Sequence, residues 1–420
     1  MRTRTNPFHL VAALYLTVGV LAVVGRLGVD VGLVDSLPRL RWVTIHLVTI
    51  GGVTQALFGS LPALVRSRSR ESEDGVGVGS ERESSRWLQW LLLNAGYPLI
   101  LVGMTAGSTV TAVVGATMVL GALAALVWTV TRASQQGDRI ALYYRIAPWF
   151  LGVGILAAFG MLLGLHGPGG YFGSLEAHVH ANVWGFLALV VAGTLLSLGP
   201  RLWGAELRYP RLRTVSLVGL SVGAGGLVAG PWLAQHALTF GGLALYVVGT
   251  VGLLANVVGT FRAGERGDRR RLALILGAYL WLVFPVPWAP FVLLLPDLLP
   301  GAAIELAAIN GLVFGWMLQL AMAFLPLATV AERTDGADFV AAAAAAVDDV
   351  ARPGWVQIGS VNAGMVALWL TAVPGLDPVD ATLSFVGYAL VALAWALFVV
   401  GLWRAITDRS VAAVRPSLAD

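Results

Sequence analysis

Cysteine is absent from the 420 residues. That excludes disulfides, thiolate metal sites and cysteine nucleophiles. Any metal must therefore be held by histidine, methionine, carboxylate or backbone oxygen. Lysine is absent too, so all 27 basic side chains are arginine. Charge is scarce: 12% of residues are charged, where a soluble domain carries about a quarter. Acidic residues are missing from the middle of every long apolar run; Glu176, Asp297, Glu305, Asp377 and Asp380 stand at run ends. An ion-coupled carrier or full proton pump usually shows buried acids at mid-depth, so this distribution argues against both. Phosphate-loop, dinucleotide-binding and zinc-protease patterns are not found in the sequence.

What is present is apolar. Hydrophobic residues make up 57% of the chain, which reads as a protein solvated by lipid over most of its surface. The net charge of +4 is no nucleic-acid footprint, because the arginines cluster in short loops between apolar runs. About twenty apolar residues cross a bilayer core. On that ruler twelve spans are predicted, at 8–26, 42–64, 87–107, 110–131, 146–165, 177–199, 214–233, 238–261, 272–295, 304–328, 355–373 and 381–403. The first is kept as a helix rather than a signal peptide, since no clean cleavage site follows and Arg26 ends the run.

Arginine sets the expected orientation. With the N-terminus in the cytoplasm, only Arg26, Arg39 and Arg41 face outward; the opposite orientation puts nearly all positive charge on the wrong side. Both termini are then cytoplasmic, and the cell membrane is the expected location. The chain reads as one transmembrane bundle over 1–420, all-α. Two longer inside segments interrupt it. Residues 66–86 mix arginine with Glu71, Glu73, Asp74, Glu81 and Glu83 around a Gly-Val-Gly-Val-Gly tract, and read as a solvated, disordered linker. Residues 331–354 contain the Ala341 to Ala346 run, where alanine favours a short helix.

The spans repeat in groups of four. His46-Leu-Val-Thr-Ile-Gly51 recurs as His180-Ala-Asn-Val-Trp-Gly185 and as Asn310-Gly-Leu-Val-Phe-Gly315. Eight residues after each glycine stands a small residue, Gly59, Gly193 or Ala323, and proline closes each segment at Pro62, Pro200 and Pro326. The third and eleventh spans share Asn-Ala-Gly, at Asn94–Gly96 and Asn362–Gly364. The eighth and twelfth share Ala237-Leu-Thr-Phe-Gly-Gly-Leu-Ala-Leu against Ala381-Thr-Leu-Ser-Phe-Val-Gly-Tyr-Ala-Leu. Three pseudo-symmetric four-helix units are therefore expected, as parallel repeats that keep every unit in one orientation. The ninth span carries Phe284-Pro-Val-Pro-Trp-Ala-Pro290. Its prolines remove backbone donors, which reads equally as a cavity wall or a plain kink.

Histidine is the leading candidate for metal or haem chemistry, and there are six. Five lie toward the expected outer face: His46, His166, His178, His180 and His236. His9 alone is cytoplasmic. His46 and His180 occupy equivalent repeat positions, which raises them above the bland reading of a histidine bonded to interfacial water or a carbonyl. That bland reading is preferred for His9, His166 and His178. Imidazole is the commonest metal ligand and needs no thiolate partner for copper, iron or haem. Downstream glycines and alanines would admit a flat macrocycle or a neighbouring backbone. His178 and His180, two apart, diverge on a helix, but converge on one copper if the helix starts only at Ala181. The scattered methionines, such as Met104 and Met317, read as packing.

Twelve helices in three arcs, with histidine near the outer ends of the second and sixth, resemble the heme-copper oxidase subunit I superfamily. The resemblance implies His46 as a ligand of the low-spin haem and His180 as a copper ligand. His236 lies where that family has copper ligands after helix seven, although Gln235 replaces the first of the pair. The family's two haem ligands on helix ten are missing, with Asn310 in that region, and so is its tyrosine-linked pattern on helix six. A second resemblance, by plan and by the His-x-x-x-x-Gly helix, is to NnrS-type membrane proteins, thought to hold haem and copper. Together these imply a haem- or copper-binding protein, with His46 and His180 toward cofactor and His178, His180 and His236 toward metal. Its role would be electron transfer or nitric-oxide handling without a complete oxygen-reducing centre, with an electron donor or respiratory-chain subunits as partners besides the bilayer. The alternative is a metal-free small-molecule carrier or a scaffold of a respiratory complex.

Overall fold

The computed structural model describes residues 5–35, 38–70, 81–133, 138–295, 300–333, 339–346 and 352–407. Among them there is no strand, and ten helices are long and apolar enough to cross a membrane. The chain is a polytopic all-α membrane protein. The long helices are α1 (Pro7–Asp30), α2 (Leu40–Ser67), α3 (Arg86–Ala106), α4 (Thr109–Ala133), α5 (Arg139–Leu163), α6 (Gly170–Trp203), α7 (Leu212–Trp232) and α8 (His236–Ala263). Beyond them come α9 (Arg269–Val283), α10 (Ala289–Leu294), α11 (Gly301–Ala331), α12 (Phe339–Ala345), α13 (Trp355–Leu370) and α14 (Asp377–Thr407).

Several boundaries differ from the sequence expectation. Arg26 does not end α1; the helix runs one turn further, with Arg26 paired to Asp30 across that turn at 3.1 Å. Pro62, Pro200 and Pro326 do not close their helices, which continue to Arg70, Trp203 and Ala331. A proline forfeits one ladder bond, and the turns beyond it still form. The expected 66–86 linker is narrower, since helix reaches Arg70 and resumes at Glu81; residues 71–80 lie outside the described residues. The short helix expected in 331–354 is α12, whose Phe339, Val340 and Ala343 are buried and which packs on α11. The ninth span is not continuous: α9 stops at Val283 and α10 begins at Ala289 after a run of turns.

The chain forms two compact units, one of residues 1–57 and 268–420, the other of residues 58–267. The repeats are visible inside each as recurring local contacts. α2, α6 and α11 are the buried helices: 72%, 89% and 89% of their most apolar windows are buried, against 28–50% for the other long helices. Each contains a π-helical segment, at Leu47–Thr54, His180–Leu187 and Gly311–Met317. These are the segments the sequence repeat marks. The helix before each lays a large side chain on a glycine there. Leu16 of α1 lies on Gly52, Phe150 of α5 on Gly185, and Trp281 of α9 on Gly315.

The last two long helices of each repeat form a tight hairpin. α3 meets α4 where Gly96 faces Gly115, α7 meets α8 where Gly223 faces Gly242, and α13 meets α14 where Gly364 faces Gly387. A Cβ at Gly364 would lie 2.8 Å from the carbonyl oxygen of Gly387, so only glycine fits. Gly96 and Gly364 come from the Asn-Ala-Gly motif, and Gly242 and Gly387 from the motif shared by the eighth and twelfth spans. The repeated words in the sequence are thus the places where backbones touch, as expected in lipid, where close packing replaces the hydrophobic effect.

Candidate functional site

In the unit of residues 58–267, α6 begins at Gly170, well before Ala181. His178 and His180 are therefore both helical, and the route by which they would share one copper is closed. Two helical residues apart means about 200° around the axis. His178 turns to α5, with its Nδ1 2.8 Å from the carbonyl oxygen of Gly154. A carbonyl only accepts, so Nδ1 carries the proton and Nε2 the lone pair. The amide nitrogen of Asn182 lies 3.2 Å from Nδ1 and 3.4 Å from Nε2, and of the two only Nε2 can accept from it. Gly154 has no side chain because the Asn182 amide occupies its place. His178 is thus bonded between two helices.

His180 turns the other way. Its ring interacts with the backbone of Leu227 in α7. It meets Trp184 edge-on at 5.1 Å, and Trp184 stacks on Tyr246 of α8 at 5.0 Å. His180 Nδ1 and Trp184 Nε1 are both buried without a hydrogen-bond partner. His236, the first residue of α8, is exposed and stacked on Phe240 at 6.4 Å. Among the described residues no three histidine, aspartate or glutamate side chains gather closely enough to hold a metal ion. His178, His180 and His236 accordingly form no three-nitrogen set.

In the other unit, His46 closes the α-helical part of α2 just before its π-helical segment. Its Nδ1 is 2.8 Å from the Trp42 carbonyl oxygen, and its ring stacks on the Trp42 indole at 3.9 Å. The proton again sits on Nδ1. A carbonyl holding that proton fixes tautomer and ring orientation, the usual support for a ligating Nε2. Asn310, at the third repeat position, is buried and accepts from the Tyr388 hydroxyl at 3.4 Å.

The glycine faces expected to admit a macrocycle are filled by protein. Phe150 covers Gly185, Trp281 covers Gly315, and Tyr143 and Tyr144 cover Gly193. What the donor chemistry does fit is one imidazole per unit, His46 and His180.

Sequence reasoning passed over Asn182, Trp184 and Tyr246, and also a buried polar cluster in the unit of residues 1–57 and 268–420. There Gln319 of α11 and Asn362 of α13 exchange amide hydrogen bonds at 3.1 and 3.3 Å. A signal for it existed. Gln55 and Gln319 each stand four residues after the repeat glycine, and both are buried. Compared with known family models and with curated proteins, the chain matches none. Fold and composition define its class, a polytopic all-α membrane protein built on a four-helix repeat.

Proposed function

We propose that the protein is a haem-binding integral membrane protein of the heme-copper oxidase subunit I type, acting in electron transfer or nitric-oxide handling without a complete oxygen-reducing centre. His46 in one unit and His180 in the other are the residues that would each hold haem. Bound haem would supply one-electron chemistry. The observation that carries the reading is the equivalence of the two imidazoles. Each stands at the head of a π-helical segment in the buried helix of its repeat, and π-helical turns are frequent at functional sites. Two further features support it: the carbonyl-held Nδ1 of His46 and the unpartnered Nδ1 of His180. Copper is the weaker choice of cofactor, because no three-donor set stands among the described residues.

The test is the optical spectrum of protein purified from haem-replete cells. A Soret band is expected, reduced in His46→Ala and in His180→Ala and lost in the double variant. A colourless, metal-free preparation overturns the reading. The rival, a metal-free carrier or a scaffold of a respiratory complex, is favoured by the aromatic rings that fill the glycine faces. It expects that same colourless protein.

A further inference from the structure

The break in the ninth span leaves the Trp281 carbonyl without its helical donor. Phe284 N–H still donates to the Leu280 carbonyl at 2.8 Å. The next bond of the ladder would run from residue 285 to the carbonyl of Trp281, but residue 285 is proline and has no N–H. Val286 does not restore it, because its N–H donates to the Val283 carbonyl at 3.0 Å. In a lipid-immersed protein such a carbonyl is tolerated only where protein or water satisfies it.

A donor in the same state lies across α11. Trp369, next to last in α13, is buried at 9% exposure, and its indole Nε1 has no hydrogen-bond partner. Both atoms lie close to one point. A Cβ added at Gly311 would stand 3.3 Å from the Trp281 carbonyl oxygen and 3.5 Å from Trp369 Nε1. Gly311 carries no such atom. The ring of Phe284 closes on Trp369 edge-on at 4.8 Å.

We propose that the space beside Gly311 is a binding site for a single water molecule, which accepts from Trp369 Nε1–H and donates to the Trp281 carbonyl. The chemistry of the two walls selects the occupant. A cation meets an N–H that only donates. An anion meets a carbonyl that only accepts. A methyl group fits the volume but leaves both groups unmatched, at about 1–3 kcal/mol for each buried unsatisfied group. Water matches both at once. The bridge ties the broken end of α9 to the end of α13 through the π-helical turn of α11, and it holds the break open without exposing a carbonyl to lipid. It is independent of any haem.

The test is solution NMR of the full chain in nanodiscs, with the tryptophan indoles labelled with nitrogen-15. Among 15 tryptophans, the Trp369 and Trp395 resonances are assigned from Trp369→Phe and Trp395→Phe. A cross-peak between the Trp369 indole proton and water is expected in the wild type. Trp395, also buried without a partner, should show none. In Gly311→Ala the methyl takes the water's place, so the Trp369 cross-peak disappears and its indole resonance moves toward the non-bonded position. A wild-type spectrum without the Trp369 cross-peak overturns the proposal, and so does one in which Gly311→Ala leaves it unchanged. Should Gly311→Ala not fold, the wild-type cross-peak alone decides.

Discussion

The indole Nε1 of Trp281 donates to Asn362 Oδ1 at 2.8 Å, while the same residue's ring sits on Gly315. One side chain thus joins α9, α11 and α13. Asn362 Oδ1 also accepts from Gln319, and Asn362 Nδ2 returns a bond to Gln319 Oε1. Asn362→Leu strands the Trp281 donor and the Gln319 amide in a dry interior. It should destabilise the protein by about 1–3 kcal/mol, read as a lower midpoint in detergent-induced unfolding. Asn362→Leu combined with Gln319→Leu should recover part of that loss, because fewer buried groups then lack partners. A double variant as unstable as the sum of the two singles would contradict the cluster.

Gly185 and Gly315 are seats for Phe150 and Trp281. Gly185→Ala forces the Phe150 ring to move and should cost about 1–3 kcal/mol by overpacking. Phe150→Leu added to Gly185→Ala should restore most of the thermal midpoint. If the seat were instead open to a ligand, Gly185→Ala would leave stability alone and change only ligand affinity.

The histidines should separate by readout. His178 is bonded to Gly154 and Asn182, so His178→Ala is expected to lower the unfolding midpoint and leave the Soret band in place. His180→Ala is expected to do the reverse. His236, exposed at the start of α8, should tolerate alanine in both measurements. Loss of bound metal in His236→Ala would restore the three-histidine copper reading.

The cysteine-free chain is a ready background for mapping orientation. A cysteine at Leu165, exposed between α5 and α6, should react with a membrane-impermeant maleimide from outside intact cells. A cysteine at Glu265, exposed between α8 and α9, should react only after the membrane is opened. The opposite pattern would refute the orientation drawn from arginine.

The membrane class, ten of the twelve expected spans as long apolar helices and the four-helix period were legible, because lipid burial and close backbone approach each demand particular residues. Gly96, Gly242, Gly364 and Gly387 were visible as words and proved to be contacts. The two compact units were not legible, since their boundary falls inside α2 at residue 57, where no turn or change of composition marks it. The break at Phe284–Trp288 was readable from its prolines, though not which carbonyl it frees, as that depends on the neighbouring helices. At the candidate site, the equivalence of His46 and His180 was readable. The turning of His178 and His180 toward different helices followed once α6 was seen to start at Gly170, a start the glycine-rich 167–170 stretch hides. Asn182 and Trp184 carried no local signal, because their roles are set by Gly154 and Tyr246, far away in sequence.

The π-helical segments have a mutational implication. Such a bulge is an α-helix holding one residue more than its ladder needs, and removing a residue would let the ladder close. Everything downstream would then rotate by about 100°, carrying Gln319 in α11 or Gly193 in α6 off its present neighbour. An error that costly is corrected only by keeping the surplus. A one-residue deletion inside any of the three π-helical segments is therefore expected to be poorly tolerated.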